Sequence, residues 1–408
     1  MAESAVLPSR PPTSRPVDLS RRHPEVEDYL RPGPRRFSGH AHPLSFSGSG
    51  SEYFRIWIVN LLLTLLTLGV YYPWARVRKL RYFHTNTEIA GHALDFHGEP
   101  RKMLRGLVLM AVLLGAYSVA GEVSPTAGTI AFVLLAGVWP ALWRASLQFR
   151  LANTSWRGLR FRFTGGLAGA YGVFALPLAA AAAVALGVGL AVLLPALRNQ
   201  PLAAGLLALG ALAAALLLLP YGWLRLKRYQ HGHYAYAQQQ TELRVTLRVA
   251  YGAFVRIAGV ALLVLLLAVG LLAGLAVVLG ESARALLGLA PVAFVLLLLM
   301  VQIVPRAYAT SRLQNLLWSR TGNAELRFRS DLHFAPLALL TLKNWLLVLL
   351  TLGLYWPWAA IAMARLRLEA ISLHTRRPLD ELQSEARAAS GDAAGDAAAD
   401  LLGIDLGL

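Results

Sequence analysis

The stretch Asn60-Leu-Leu-Leu-Thr-Leu-Leu-Thr-Leu-Gly-Val-Tyr-Tyr-Pro-Trp-Ala75 returns near the far end of the chain. There it reads Asn344-Trp-Leu-Leu-Val-Leu-Leu-Thr-Leu-Gly-Leu-Tyr-Trp-Pro-Trp-Ala359. The Asn, Thr-Leu-Gly, Tyr and Pro-Trp-Ala positions match at a constant offset of 284 residues. A soluble domain has little reason to repeat an apolar block that ends in Gly, Tyr, Pro and Trp. A membrane protein does, because it must bring hydrophobic segments to an interface and turn them there.

Composition agrees. Of 408 residues, 56% are hydrophobic and 15% charged, and the mean hydropathy is +0.50. The apolar residues cluster in runs, at 168–197, 202–219 and 261–279, near the roughly 20 residues that cross about 30 Å of hydrocarbon. The net charge of +17 could suggest nucleic acid, but the arginines sit beside the apolar runs. That placement points instead to the bilayer, and to anionic phospholipid headgroups, as the partner. Cysteine is absent, which excludes disulfides, thiol chemistry and Cys-ligated metal. Residues 1–43 read as a disordered basic tail without a cleaved signal peptide, and 376–408 as a disordered acidic Ala/Asp-rich tail. Between them lies a transmembrane domain, 44–375, with internal repeats.

Eight apolar segments follow, at about 54–73, 104–121, 127–143, 168–195, 203–222, 253–279, 286–305 and 335–358. Short connectors alternate with long basic ones, so the long set is expected in the cytoplasm. The long connectors share a layout: a Pro with an aromatic nearby, a basic stretch, then alternating residues such as Ala93–Phe96, Leu159–Phe163 and Glu325–Arg329. Thr241–Arg248 alternates too. Alternation reads as short half-buried strands that could pair into one cap. The fold class expected is an all-α polytopic membrane protein. It has about eight transmembrane helices, or six if the terminal segments are re-entrant, with small cytoplasmic interfacial helices and short strands between helix pairs. The terminal segments carry a conflict. Eight crossings put both tails outside, yet both flanks are Arg-rich. Full crossing is favoured by segment length; bending back at the Thr-Leu-Gly block is the alternative, and it needs a buried backbone.

The repeated block supplies the candidate intramembrane polar or broken-helix site: Asn60, Thr64, Thr67, Gly69, Tyr71, Pro73, Lys343, Asn344, Thr351, Gly353, Tyr355 and Pro357. Pro ends or kinks a helix, and an amide inside a span needs a partner. Structural packing and interhelical bonding are the plainer roles. Basic residues that could touch anionic lipid or ligand are Arg76, Arg78, Lys79, Arg81, Arg144, Arg225, Lys227, Arg228, Arg306 and Arg312. Trp74, Trp143, Trp223 and Trp358 read as interface anchors. No catalytic set, metal site or cofactor is expected, and away from their ends the spans hold no carboxylate of the kind ion-coupled pumps use. Transport or channel-like passage of a small solute is one expectation. A lipid-interacting membrane scaffold with a basic cytoplasmic cap is the other.

The string Phe46-Ser-Gly-Ser-Gly-Ser-Glu-Tyr-Phe-Arg-Ile56, with Asn60, Thr67–Arg78, Tyr82 and Asn86-Thr87, resembles the YjgN-like family of bacterial multi-pass inner-membrane proteins. The resemblance covers roughly 44–375. It implies an inner-membrane location and no activity. The second copy departs after its Trp: Arg76, Arg78 and Lys79 correspond to Ala360, Ala362 and Met363, while Arg81 is matched by Arg365.

Overall fold

A computed structural model describes residues 39–193, 201–279 and 290–392. The basic tail lies outside these except for its last residues. The chain forms a cycle of helix pairs joined through one sheet. β1 (His40–Phe46) leads into α1 (Gly50–Leu66), which turns into α2 (Tyr72–Thr85) and then β2 (Thr87–Ile89) and β3 (His92–Phe96). The order continues with α3 (Pro100–Val123), α4 (Pro125–Ala152), β4 (Thr154–Trp156), β5 (Leu159–Phe163), α5 (Leu167–Leu193) and α6 (Pro201–His231). Next come β6 (Tyr234–Tyr236), β7 (Gln239–Gln240), β8 (Glu242–Leu243), α7 (Leu247–Leu279) and α8 (Ala290–Trp318). The described chain closes with β9 (Thr321–Gly322), β10 (Leu326–Ser330), α9 (Phe334–Leu350), α10 (Trp356–Glu369), β11 (Ile371–Thr375) and α11 (Leu379–Asp392).

The sheet has 11 strands in the order β7-β6-β5-β4-β3-β2-β1-β11-β10-β9-β8. Its two edges, β7 and β8, are separated in sequence by Thr241 alone, so the sheet returns on itself and is nearly closed. Asn323, in the β9–β10 turn, spans the seam: its Nδ2 donates to Gln239 Oε1 at 2.8 Å and to the Gln240 carbonyl at 3.1 Å. Ladder closure of this kind leaves few unpaired backbone groups. The helices follow the same cycle. Each of α1 to α10 packs on its neighbours in the chain, and α10 closes on α1.

Five similar units therefore surround the ring. Each brings a helix down to a strand pair and a second helix away from it. The fifth is divided between the chain ends, where β11 pairs antiparallel with β1, placing His40 opposite Thr375. Tight turns set two of the hairpins: Ala90-Gly91 and Arg157-Gly158 all have positive φ, the geometry that matches strand twist. One face of the strands is apolar. Leu44, Ile89, Leu94, Trp156, Phe161, Tyr236, Leu326, Phe328 and Leu373 gather there, joined by Leu379 and Leu382 of α11. The other face carries Ser45, Arg160, Arg162 and Arg329.

This architecture corrects the expected fold class. The molecule is mixed α/β rather than all-α, and the strands form a single continuous ring. Among the described residues, four helical stretches are long and apolar enough to cross a membrane: α3, α4, Leu209–His231 of α6 and Leu247–Gly274 of α7. Four among the described residues stand where eight, or six, were expected. The reason for the miss is physical. Strands of two to seven residues give weak local signals, while their pairing is non-local. The interfacial helices expected after Pro140, Pro220 and Pro305 are also not separate: α4, α6 and α8 run straight through those prolines. Thr241–Arg248 is strand only at β8 and helix from Leu247. Residues 379–392 of the expected acidic tail are helical, and those beyond lie outside the described residues.

Candidate functional site

The repeated block folds as two copies of one helical hairpin. In the first, Thr67 Oγ1 donates to the Leu63 carbonyl at 2.7 Å and accepts from the Tyr71 amide at 2.9 Å. Thr351 does the same with Leu347 and Tyr355, at the same distances. The chain reverses through Leu68 and Gly69 at φ +48° and +93°, and through Leu352 and Gly353 at +50° and +93°. A leucine in the left-handed region is unusual; the threonine clamp and the following glycine hold it there. Pro73 and Pro357 occupy the first turn of the return helix, where the missing amide costs nothing. Both are fully buried.

α1 follows β1 and α2 precedes β2, and β1 pairs with β2. α9 follows β10 and α10 precedes β11, and those strands pair as well. Each hairpin therefore starts and ends on the sheet. The outgoing helices α1 and α9 have 17 residues each and are not among the four of membrane-crossing length, which corrects the favoured expectation of two long terminal spans. The tips are apolar and bare: Leu68 is 95% exposed and Leu352 93%. The two hairpins sit side by side, with Phe54 stacked on Trp358 at 4.9 Å.

Asn60 and Asn344 are buried inside their hairpins. Asn60 Nδ2 reaches the Ala75 carbonyl and Asn344 Nδ2 the Ala359 carbonyl, each at a long 3.4 Å, tying the outgoing helix to the returning one. Both side-chain oxygens are buried without a partner. Thr64 Oγ1 donates to the Asn60 carbonyl at 2.6 Å. Lys343 is exposed. Tyr71 stacks on Trp74 and Tyr355 on Trp358.

The basic residues divide into two groups. Arg81 Nε donates to the Phe96 carbonyl, Arg144 Nε to Gly165 at 2.6 Å, and Arg228 Nη2 to Val245 at 2.6 Å. Each fixes the corner where a strand gives way to the next helix. Arg365 does this for the divided unit, reaching the Phe46 and Gly48 carbonyls. Asn315 takes the position in the remaining unit, bonding both the carbonyl and amide of Leu332. Three corners also have a Phe-x-Gly sequence: Phe46-Ser-Gly48, Phe96-His-Gly98 and Phe163-Thr-Gly165. There the ring lies over the glycine so closely that a Cβ would meet it at 2.5–2.8 Å. Sequence reading matched Arg365 to Arg81 but missed its corner role, and missed Asn315 and this motif. The signal was present as Phe-x-Gly at three strand ends, and as an Arg eight residues after Pro73, Pro220 and Pro357.

The second group stays exposed. Arg76 hydrogen-bonds the Tyr72 hydroxyl at 2.9 Å; Arg225 lies over the Tyr221 ring and Arg312 over Tyr308. Lys79 lies over Phe83. Arg78 and Arg306 are exposed as well. Lys227 instead bonds Gln230 Oε1 at 2.8 Å. Trp143 packs between Phe174 and Tyr229, and Trp223 against Phe254. Among the described residues no group of three or more His, Cys, Asp or Glu could hold a metal ion.

A sequence profile for a family described as bacterial protein of unknown function (DUF898) matches residues 41–401. Inner membrane protein YjgN of Salmonella typhimurium (strain LT2) is 33% identical over 140 residues, 34% of this chain and 35% of that protein. Inner membrane protein YjgN of Escherichia coli (strain K12) is 30% identical over 146 residues, again 34% and 35% of the two chains. The chain thus spans about a third of the length of the curated relatives it matches. No solved structure matches it.

Proposed function

This chain belongs to the DUF898 family of bacterial proteins, and from that footing we propose that it is a multi-pass inner-membrane scaffold that engages lipid. The relatives' names place those proteins in the inner membrane. The observation that carries the lipid reading is the pair of adjacent hairpins whose bare leucine tips turn back toward the sheet. Leu66, Leu68, Leu350 and Leu352 are each at least 78% exposed, a concentration of apolar surface that belongs in hydrocarbon. Inserted from the ring side, these hairpins occupy the near leaflet.

The long helices support the same reading. Within their membrane-length windows only 0–11% of residues are buried, and each window holds at most two charged residues. A helix that is apolar all round offers lipid contacts on every face and gives water no lined path. Around the ring, the exposed Tyr–Arg pairs set cations and aromatic rings at headgroup height, suited to anionic phospholipid. Passage of a solute has no corresponding support: Asn60 and Asn344 are spent on hairpin closure.

Spin labels at Leu68→Cys and Leu352→Cys, in nanodiscs of phosphatidylethanolamine and phosphatidylglycerol, test this. High accessibility to oxygen with protection from a water-soluble nickel chelate is expected. Nickel accessibility at both tips would mean a water-filled site and would sink the lipid reading.

A further inference from the structure

The apolar face of the strand ring is occupied by a piece of the chain's own C-terminal region. We propose that this face is a helix-binding site and that α11 is its detachable resident ligand. The recognition is specific in kind. Leu379 and Leu382, at i and i+3 of α11, enter the cluster formed by Trp156, Leu326 and Leu373. Around them the polar contacts are few. Gln383 Nε2 donates to the Arg157 carbonyl at 2.7 Å, and Asp380 pairs with the Arg157 guanidinium. Arg377 links Glu325 of the ring to Glu385 of the helix.

Arg157 is the hub of this dock. It sits at the positive-φ turn between β4 and β5, where both its carbonyl and its side chain face α11. The acidic first turn of α11, Asp380 and Glu381, suits a site beside Arg157, which pairs with Asp380. An occupant of the same chemistry is therefore an amphipathic helix with two leucines a turn apart and carboxylates at its N-terminus.

Three features mark the helix as removable. Its link to the ring is short and ends a strand, so release needs no strand to unpair. The seat is imperfectly filled: a cavity of about 50 Å³ remains beside Leu379 and Leu382, walled by Trp156, Tyr236 and Gln239. The ion pairs at the rim are open to solvent, with the Asp380 side chain 81% exposed, and such pairs hold weakly. With α11 gone, Trp156 and Tyr236 of this face are uncovered.

Hydrogen exchange of the intact wild-type chain in nanodiscs reads the release directly. Amides of 381–385 are expected to exchange at least 100-fold faster than those of β10 and β11, which α11 covers. Equal protection would make α11 a fixed part of the core and overturn the proposal. Binding is read with a fluorescent peptide of residues 378–392 and a chain ending at Arg377. Saturable binding is expected, at least tenfold weaker for the peptide carrying Leu379→Asp and Leu382→Asp. A truncated chain that keeps its thermal transition but ignores the peptide, or one that loses the transition, would each contradict detachable docking.

Discussion

Single residues hold this molecule at its corners. The Arg144 guanidinium satisfies the Gly165 carbonyl at the exit from β5, and that carbonyl has no strand partner once α5 begins. Arg144→Gln is expected to cost about 1–3 kcal/mol, the range for losing a charged hydrogen bond to a covered group. Arg78→Gln, on the exposed side of α2, should stay within about 0.5 kcal/mol. Thermal unfolding of the two variants in nanodiscs compares them. At Gly165 an added methyl would lie 2.6 Å from the Phe163 ring and 2.7 Å from the Tyr229 hydroxyl. Gly165→Ala should therefore destabilise by roughly 1–3 kcal/mol through overpacking.

Asn60 makes the opposite case. Its oxygen is buried without a partner and its amide hydrogen bond is long, so Asn60→Leu should be near neutral or stabilising in the same assay. Asn60→Asp should lower stability by about 2 kcal/mol or more, because it buries a charge with no cation to meet it. Histidine sets the pH response. Burial, with His40 and His374 nearby, holds His42 below its ordinary value of 6.5; burial and Arg329 do the same to His374. Groups whose folded pKa is lowered bind protons more readily when unfolded, so they leave stability unaffected above pH 6.5 and erode it as pH falls below. The unfolding temperature should drop between pH 7 and 5.5, and His42→Gln with His374→Gln should reduce that drop, with His84, lowered by burial in the same direction, keeping part of it.

At the scale of elements, the five corner prolines show how much the sequence displays and where it stops. Pro73, Pro140, Pro220 and Pro305 stand just before a basic stretch, and that regularity was visible as a repeated layout; after Pro357 the first basic residue is Arg365. What each proline does was not. In α2 and α10 it starts a new helix; in α4, α6 and α8 it lies inside a continuous one. The difference is the Thr-Leu-Gly turn before Pro73 and Pro357, absent before the other three. The strands Leu159–Phe163 and Leu326–Ser330 were readable from alternation. Their closure into a ring was not, because it rests on β1 meeting β11 from opposite ends of the chain.

The proposed release of α11 belongs to this scale, since the helix is held by two leucines and by ion pairs open to solvent. Leu379→Ala should free α11 without melting the ring, seen as loss of exchange protection confined to 379–392.

For the molecule as a whole, the ring explains the conflict between helix count and charge. Every described helix pair begins and ends on strands of one sheet, so all the basic corners lie on one side. Arg376 and Arg377, which follow β11 and meet Glu325 beside β10, lie there too, in keeping with the charge rule. The repeated block is then the turn of two helical hairpins, and its Trp74 and Trp358 lie in the return helices. The most direct measurement uses the absence of cysteine. Ser124→Cys, Leu68→Cys and Leu352→Cys are introduced one at a time and probed in intact cells with a membrane-impermeant thiol reagent. Labelling of Ser124→Cys alone, at the α3–α4 turn, is the result this account predicts. Labelling of Leu68→Cys or Leu352→Cys from outside would show the terminal hairpins reaching the far surface and would contradict it.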